Sequence, residues 1–243
     1  MALSPAATQL WHALGMGPLW REAAAPPDPA AGGSGLGLDR LGWDELEAAA
    51  GACSACGLCA ERRQAVFGAG SRSAAWLFVG EAPGAEEDAT GEPFVGPSGR
   101  LLDNMLAAIG LGRAQDAPEA AYIANTVKCR PPANRNPEPG EMAACAPYLQ
   151  RQIALLQPRI IVALGRFAVQ ALLGRDDAIG SLRGRIHALE VGGRQIPVVV
   201  TYHPSYLLRT QADKAKAWAD LCLARAHADG LGLSPTAAVA SSS

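Results

Sequence analysis

Four short apolar runs, separated by longer segments of helical periodicity, limit the fold of this 243-residue chain more than any other feature. Trp76-Leu-Phe-Val-Gly80, Ala121-Tyr-Ile-Ala-Asn-Thr-Val127, Arg159-Ile-Ile-Val-Ala-Leu164 and Ile196-Pro-Val-Val-Val-Thr201 lack the polar alternation of a strand with one wet face. Between and after them, residues 99–109, 141–156, 166–173 and 213–228 read as helices. Strands buried on both faces and interleaved with helices predict an α/β fold. The expected form is a three-layer sandwich with a central, mainly parallel four-stranded sheet and helices on both faces. Ligands bind such sheets beyond the carboxyl ends of the strands, so chemistry is expected in the loops after Val79, Val127, Leu164 and Val200.

Residues 1–50 read as an N-terminal extension. An amphipathic segment within 1–22, carrying Trp11 and Trp20, precedes a linker rich in Pro, Gly and Ala. The domain proper is expected over 51–230 and a flexible tail over 231–243. With no apolar run of about eighteen residues and no basic-then-apolar leader, the expectation is a cytoplasmic monomer without a membrane association. In that compartment close cysteines read as metal ligands or redox groups rather than disulfides.

A net charge of −2 argues against a protein that coats nucleic acid, but the charge is unevenly spread. Residues 1–120 carry 7 basic and 15 acidic side chains, whereas 121–210 carry 11 basic and 5 acidic. The second segment suits a phosphate-facing surface as well as it suits an ordinary solvated one.

Three of the six cysteines, Cys53, Cys56 and Cys59, fall within one short stretch. Two more, Cys129 and Cys145, bracket a loop rich in proline and arginine, with fifteen residues between them. The pair Cys53-x-x-Cys56 with Cys129 and Cys145 offers four thiolates, the number wanted by a structural zinc or a [4Fe-4S] cluster. Spacing leaves both open. Cys222, in the last helix, reads as a packed thiol.

The loop after the first strand, Gly80 to Gly99, is rich in Gly and Pro, which lets backbone approach a ligand closely. It carries the carboxylates Glu81, Glu86, Glu87 and Asp88, suited to positioning water, and Phe94, which offers a stacking face. Neither a Gly-x-Gly-x-x-Gly fingerprint nor a Gly-Lys-Ser/Thr ending is present, which argues against nucleotide hydrolysis. After the last core strand comes Tyr202-His-Pro-Ser-Tyr-Leu-Leu-Arg209, with a histidine at the strand's carboxyl end.

Taken together, these motifs resemble the family 4 uracil-DNA glycosylases, the iron–sulfur branch of that superfamily. The similarity runs from about Cys53 to Arg209. It rests on Cys53-x-x-Cys56, Val66-Phe-Gly-x-Gly70, Gly80-Glu-x-Pro-Gly84 with Glu87-Asp88, and Gly91-x-Pro-Phe-Val-Gly96. Further on, it rests on Asn125-x-Val-Lys-Cys-Arg-Pro-Pro132 with Asn134-Arg135, on Leu182-Arg-Gly184, and on His203-Pro-Ser-Tyr-Leu-Leu-Arg209.

The resemblance implies hydrolysis of the bond between uracil and deoxyribose in DNA, the first step of base excision repair. It also selects a [4Fe-4S] cluster on Cys53, Cys56, Cys129 and Cys145, with Cys59 not a ligand. By the same resemblance Gly80, Ala82, Phe94, Asn125 and His203 would hold the flipped base, Phe94 by stacking and Asn125 by reading its edge. His203 would donate to uracil O2. Glu81, supported by Glu87 and Asn134, would position water or stabilise the cationic sugar, since Ala82 stands where other branches carry Asp or Asn. Leu207 would enter the gap left by the base, and Lys128, Arg130, Arg135, Ser205 and Arg209 would hold the DNA backbone.

Other readings differ in what they require. A relative that traps uracil-DNA covalently carries a Gln where Ala82 stands and a basic insertion absent here. A noncatalytic iron–sulfur or zinc DNA-binding module has no need of Phe94, Asn125 and His203 together. An electron carrier or radical enzyme would use Cys53, Cys56 and Cys59 together.

Overall fold

The tertiary structure, a computed structural model, describes residues 37–114 and 119–233. The segment with Trp11 and Trp20, the linker up to Leu36 and the tail from Ser234 lie outside the described residues. The described residues all belong to one unit, which begins at Gly37.

Six strands form one sheet: β1 (Ala69–Gly70), β2 (Trp76–Gly80), β3 (Ala121–Asn125), β4 (Ile160–Leu164), β5 (Ile186–Val191) and β6 (Arg194–Thr201). Their spatial order is β1-β3-β2-β4-β6-β5. The four expected strands, β3, β2, β4 and β6, are parallel neighbours in the middle. The expected four-stranded sheet is therefore corrected to a six-stranded mixed one, because β1 and β5 add antiparallel edges.

Each edge strand lacks the continuous apolar signal for a physical reason. β5 is covered on one face only, so its residues alternate between exposed and half-buried. It joins β6 through Gly192-Gly193, whose φ values of 57° and 76° suit a tight hairpin. β1 is only two residues long, and Gly70, at φ 115°, lies so close to the Ala121 carbonyl that no side chain fits.

The helices are α1 (Trp43–Ala52), α2 (Ala85–Thr90), α3 (Pro97–Ala108), α4 (Pro139–Leu156), α5 (Arg166–Leu173), α6 (Ile179–Leu182), α7 (Pro204–Arg209) and α8 (Lys214–Gly230). Because successive strand residues point to opposite faces, the sheet divides its side chains between two cores. Trp76, Phe78, Ile123 and Val162 pack with Leu102 and Leu106 of α3 and Leu221 of α8. Leu77, Val79, Ile161 and Val198 pack with Leu149 and Ile153 of α4 and Val169 of α5. Each such side chain, fully buried, contributes about 1.5–3 kcal/mol.

Residues 38–50, read from sequence as part of the extension, pack against the domain: Leu38, Leu46 and Ala50 cluster with Phe67 and with Tyr148 of α4. Cys53 is the C-cap of α1. Among the described residues no helix is long and apolar enough to cross a membrane. In the parallel register Gly80 pairs with Asn125 and Leu164 with Thr201, so four strands end along one edge and their loops share it.

Candidate active site and cysteine centre

At that edge lies a pocket of about 170 Å³, whose walls include Glu81, Glu87, Phe94, Asn125, Asn134, His203 and Ser205. Gly80 backs two of these walls: a Cβ there would come within 2.5 Å of the Phe94 ring and closer still to Asn125 Oδ1. Phe94, Ala133 and Asn134 have φ of 57°, 52° and 55°, a left-handed conformation that side chains rarely adopt. The first and third of these line the pocket, where strain of this kind tends to gather. The Phe94 and His203 rings lie 5.4 Å apart, tilted by 31°.

His203 caps the N-terminus of α7. Its Nδ1 accepts from the Ser205 backbone N–H at 3.2 Å and contacts Ser205 Oγ at 2.8 Å. A backbone N–H can only donate, so Nδ1 is a lone pair and the neutral ring carries its hydrogen on Nε2. Burial, with Arg209 nearby, holds the pKa down at about 4, so the ring is neutral at physiological pH. Among the described residues Nε2 is buried without a partner, and so is the amide oxygen of Asn125. The pocket thus presents an unused N–H donor from the end of β6 and an unused C=O acceptor from the end of β3.

Glu81 is held through its backbone, whose carbonyl accepts from Thr126 Oγ1 at 2.5 Å and Val127 N at 3.2 Å. Burial pushes its carboxyl pKa up, against the pull of Arg166. Glu87 differs: its two oxygens accept from the amides of Gly84 (3.0 Å), Val95 (3.1 Å) and Gly96 (3.4 Å). It ties the two ends of the glycine-rich loop together and so shapes the pocket around Phe94. Asn134 Oδ1 accepts from Arg130 Nε at 2.7 Å. Ala82 lines the pocket and packs on its other side against the cluster of Leu58, Val127 and Cys129.

Three of the residues expected to contact DNA are engaged within the protein. Lys128, expected on a phosphate-facing surface, is 1% exposed. Its Nζ donates to the Asn125 carbonyl at 2.8 Å and to Gln152 Oε1 at 2.6 Å, and burial lowers its pKa to about 8. The side chain turns inward because these two acceptors satisfy it there, and it braces Asn125. Arg135 makes a bidentate pair with Glu141 at 2.9 and 2.6 Å, which pins the proline-rich loop to the start of α4. Leu207 is 1% exposed within the core, whereas Leu208, 39% exposed, faces outward because a helical step of one residue turns the side chain by about 100°. Arg209 is exposed, Arg130 is half-buried, and Ser205 is engaged with His203.

Cys53, Cys56, Cys59, Cys129 and Cys145 line one cavity together with Arg62, Lys128 and Tyr148. Among the described residues no three His, Cys, Asp or Glu side chains are grouped closely enough to hold one metal ion. The cavity nevertheless has the donor chemistry of an iron–sulfur site. Its thiols meet around a common space, and Leu58, Val127 and Met142 pack beside it. N–H groups are aimed at sulfur: Arg62 Nη1 at Cys129 Sγ (2.8 Å) and the Lys128 amide at Cys145 Sγ (3.3 Å). Burial raises the thiol pKa of Cys56, Cys129 and Cys145, the last to about 11, so free thiols here are protonated.

Sequence reasoning missed Ser98, in the pocket wall, and Arg166, the cation that acts on Glu81. Arg166 opens the helix one residue beyond the third expected strand, and that position was its only signal. Gln152 and Arg62 were also missed, because nothing in their local sequence marks a side chain that bonds across the fold.

A family model described as the Uracil DNA glycosylase superfamily matches residues 67–222. The chain is 44% identical to the Type-4 uracil-DNA glycosylase of Archaeoglobus fulgidus, over 64% of this chain and 78% of that protein. It is 40% identical to the Type-4 enzyme of Pyrobaculum aerophilum, over 70% of this chain and 87% of that one. Identity to the Type-5 uracil-DNA glycosylase of Thermus thermophilus is 35%, over 58% of this chain and 68% of that protein.

Proposed function

Since the chain belongs to the uracil-DNA glycosylase superfamily and matches its type-4 members, we propose that it hydrolyses the N-glycosidic bond of uracil in DNA, leaving an abasic site for base excision repair. The observation that carries this reading is the pair of unpartnered polar atoms beside Phe94.

Uracil must leave the base stack to reach the pocket. There Phe94 stacks on the base. Asn125 Oδ1 accepts from N3–H and its NH₂ donates to O4, an arrangement that cytosine, with donor and acceptor exchanged, cannot satisfy. Each buried group left unpaired costs about 1–3 kcal/mol. As the C1′–N1 bond breaks, its electron pair passes to the base and charge gathers on O2, where the Nε2–H of His203 donates. A neutral donor fixed before the reaction needs no reorganisation, and loss of one such group costs about 100–1,000-fold in rate. Water attacks C1′ of the cationic sugar, with its proton directed toward Glu81, whose raised pKa suits a base. Glu87 and Asn134 maintain the loop shapes, Lys128 steadies the Asn125 carbonyl, and Arg130 and Arg209 face the phosphates. Leu208, on the exposed side of α7, fills the gap left by the base.

Cys53, Cys56, Cys129 and Cys145 would hold a [4Fe-4S] cluster, which supplies a covalent brace between the end of α1, the loop after β3 and α4. The cavity that they share and the N–H donors to their sulfurs support this assignment.

The test is incubation with a single-uracil oligonucleotide followed by alkali, with His203→Ala alongside. Wild type should yield alkali-labile sites at uracil and not at cytosine, and the variant should be slower by about 100-fold or more. Wild type that binds the DNA yet yields no such sites would return the protein to the class of binding modules.

A further inference from the structure

Arg62 stands between the two halves of the cysteine centre and takes no part in handling the base. One Nη donates to Cys129 Sγ at 2.8 Å, and the other donates to the carbonyls of Gly51 at 2.6 Å and Cys53 at 2.9 Å. One planar fork therefore connects the end of α1, which carries the first cysteine pair, with the loop after β3. Among the described residues no carboxylate pairs with it. Its neighbours are also tied down: the Arg63 amide donates to Asp88 Oδ1 at 2.9 Å and Gln64 Nε2 to the Ala89 carbonyl at 2.9 Å. The segment is thus held against α2, and the guanidinium has a fixed base from which to reach.

Resting on the cluster reading above, we infer that Arg62 is a positioning residue for the cluster. It clamps the Cys53–Cys56 loop against Cys129 and, through its N–H···S bond, sets the cluster's reduction potential. An N–H donated to a ligating sulfur favours the more negative, reduced form, so the bond raises the potential. The clamp also holds the Cys53 side of the site near Cys129, which would slow the loss of a bound cluster. Lysine cannot replace this arrangement, because an ammonium lacks the planar fork that meets three acceptors at once.

The test uses the holoprotein, purified anaerobically, as wild type, Arg62→Lys and Arg62→Met. Three readouts apply: iron and sulfide content, midpoint potential by spectroelectrochemical titration, and the rate at which visible absorbance bleaches in air or chelator. Both variants should show a lower potential and bleach about tenfold faster, as expected for one lost hydrogen bond to a charged group. Arg62→Lys, which retains the charge and the aliphatic stem, keeps the comparison available where Arg62→Met fails to fold. A wild type free of iron and sulfide overturns the cluster reading and this inference with it. A wild type that carries the cluster, beside variants with unchanged potential, overturns the role of Arg62 alone.

Discussion

Replacing Gly80 with alanine puts one methyl group against Phe94 and Asn125, two walls of the pocket. Gly80 is not among the residues of positive φ, so the backbone accepts alanine and the effect comes from contact alone. The new Cβ would lie 2.5 and 2.7 Å from two carbons of the Phe94 ring, and closer to Asn125 Oδ1. Carbon atoms settle at about 3.5–4.0 Å, so roughly 1 Å has to be found. Phe94 cannot easily supply it, because its carbonyl lies against Gly99 and receives Arg113 Nη2 at 3.1 Å. Either the ring tips or the Asn125 amide turns away, and in both cases the base loses a wall. A misplacement of about 1 Å costs on the order of 100-fold in rate, which is about 2.7 kcal/mol of barrier. Overpacking costs the fold about 1–3 kcal/mol, so the assay belongs well below the melting temperature. With enzyme in excess over a uracil oligonucleotide, Gly80→Ala should release base about 100-fold more slowly while its affinity for abasic DNA stays at the wild-type level. A folded variant whose single-turnover rate lies within about threefold of wild type would refute the packing argument.

Glu81→Gln should lower the single-turnover rate by about 100-fold or more and abolish the acid limb of the pH–rate profile. In wild type burial raises the Glu81 pKa, so activity falls as pH drops through a value above that of a free glutamate. The folded state then binds more protons than the unfolded one in that range, so stability falls as pH rises through it, and the variant should lose this slope in denaturant titrations. Lys128→Met should lower the melting temperature, since two buried acceptors lose their donor, yet leave the salt dependence of DNA affinity unchanged. Arg209→Ala should reduce that log–log slope by about one, and the opposite pattern would restore Lys128 to the DNA surface. Leu208→Ala should slow uracil release from duplex DNA by about tenfold and from single strands far less, whereas equal losses on both would deny it the gap-filling role.

The motifs were legible because their residues are close in sequence and their types are unusual together. Gly80, Phe94, Asn125 and His203 come from three separate strand ends, and each strand's apolar run announced where it would stop. Glu81, Phe94, Asn125, Asn134 and His203, named from the resemblance to a known family, line one pocket. Side-chain direction was not legible in the same way. Lys128 lies in a segment of net positive charge, and a charge count treats every cation as solvated. Burial of its amine depends on Gln152, far along the chain, whose own amide donates to the Phe67 carbonyl at 2.9 Å. Leu207 and Leu208 are chemically identical, so no local rule could tell the one that packs against Leu102 and Leu106 from the one that faces outward.

By itself the sequence determined the parallel core of the sheet, the edge at which its loops meet, and the two sets of chemical groups, one polar and aromatic and one sulfur-bearing. It did so because uninterrupted apolar strands can be covered only from both faces, and because cysteines, an amide and a histidine in such loops serve few other purposes. Only the tertiary structure decided which groups are free to act. His203 is a neutral donor because a backbone amide two residues on occupies Nδ1, and Glu87 is a brace because three amides surround its oxygens. Arg135 is neutralised because α4 presents Glu141 to it. Availability of a polar atom is set by its partners, and partners that converge from distant parts of the chain exist only once the chain has folded.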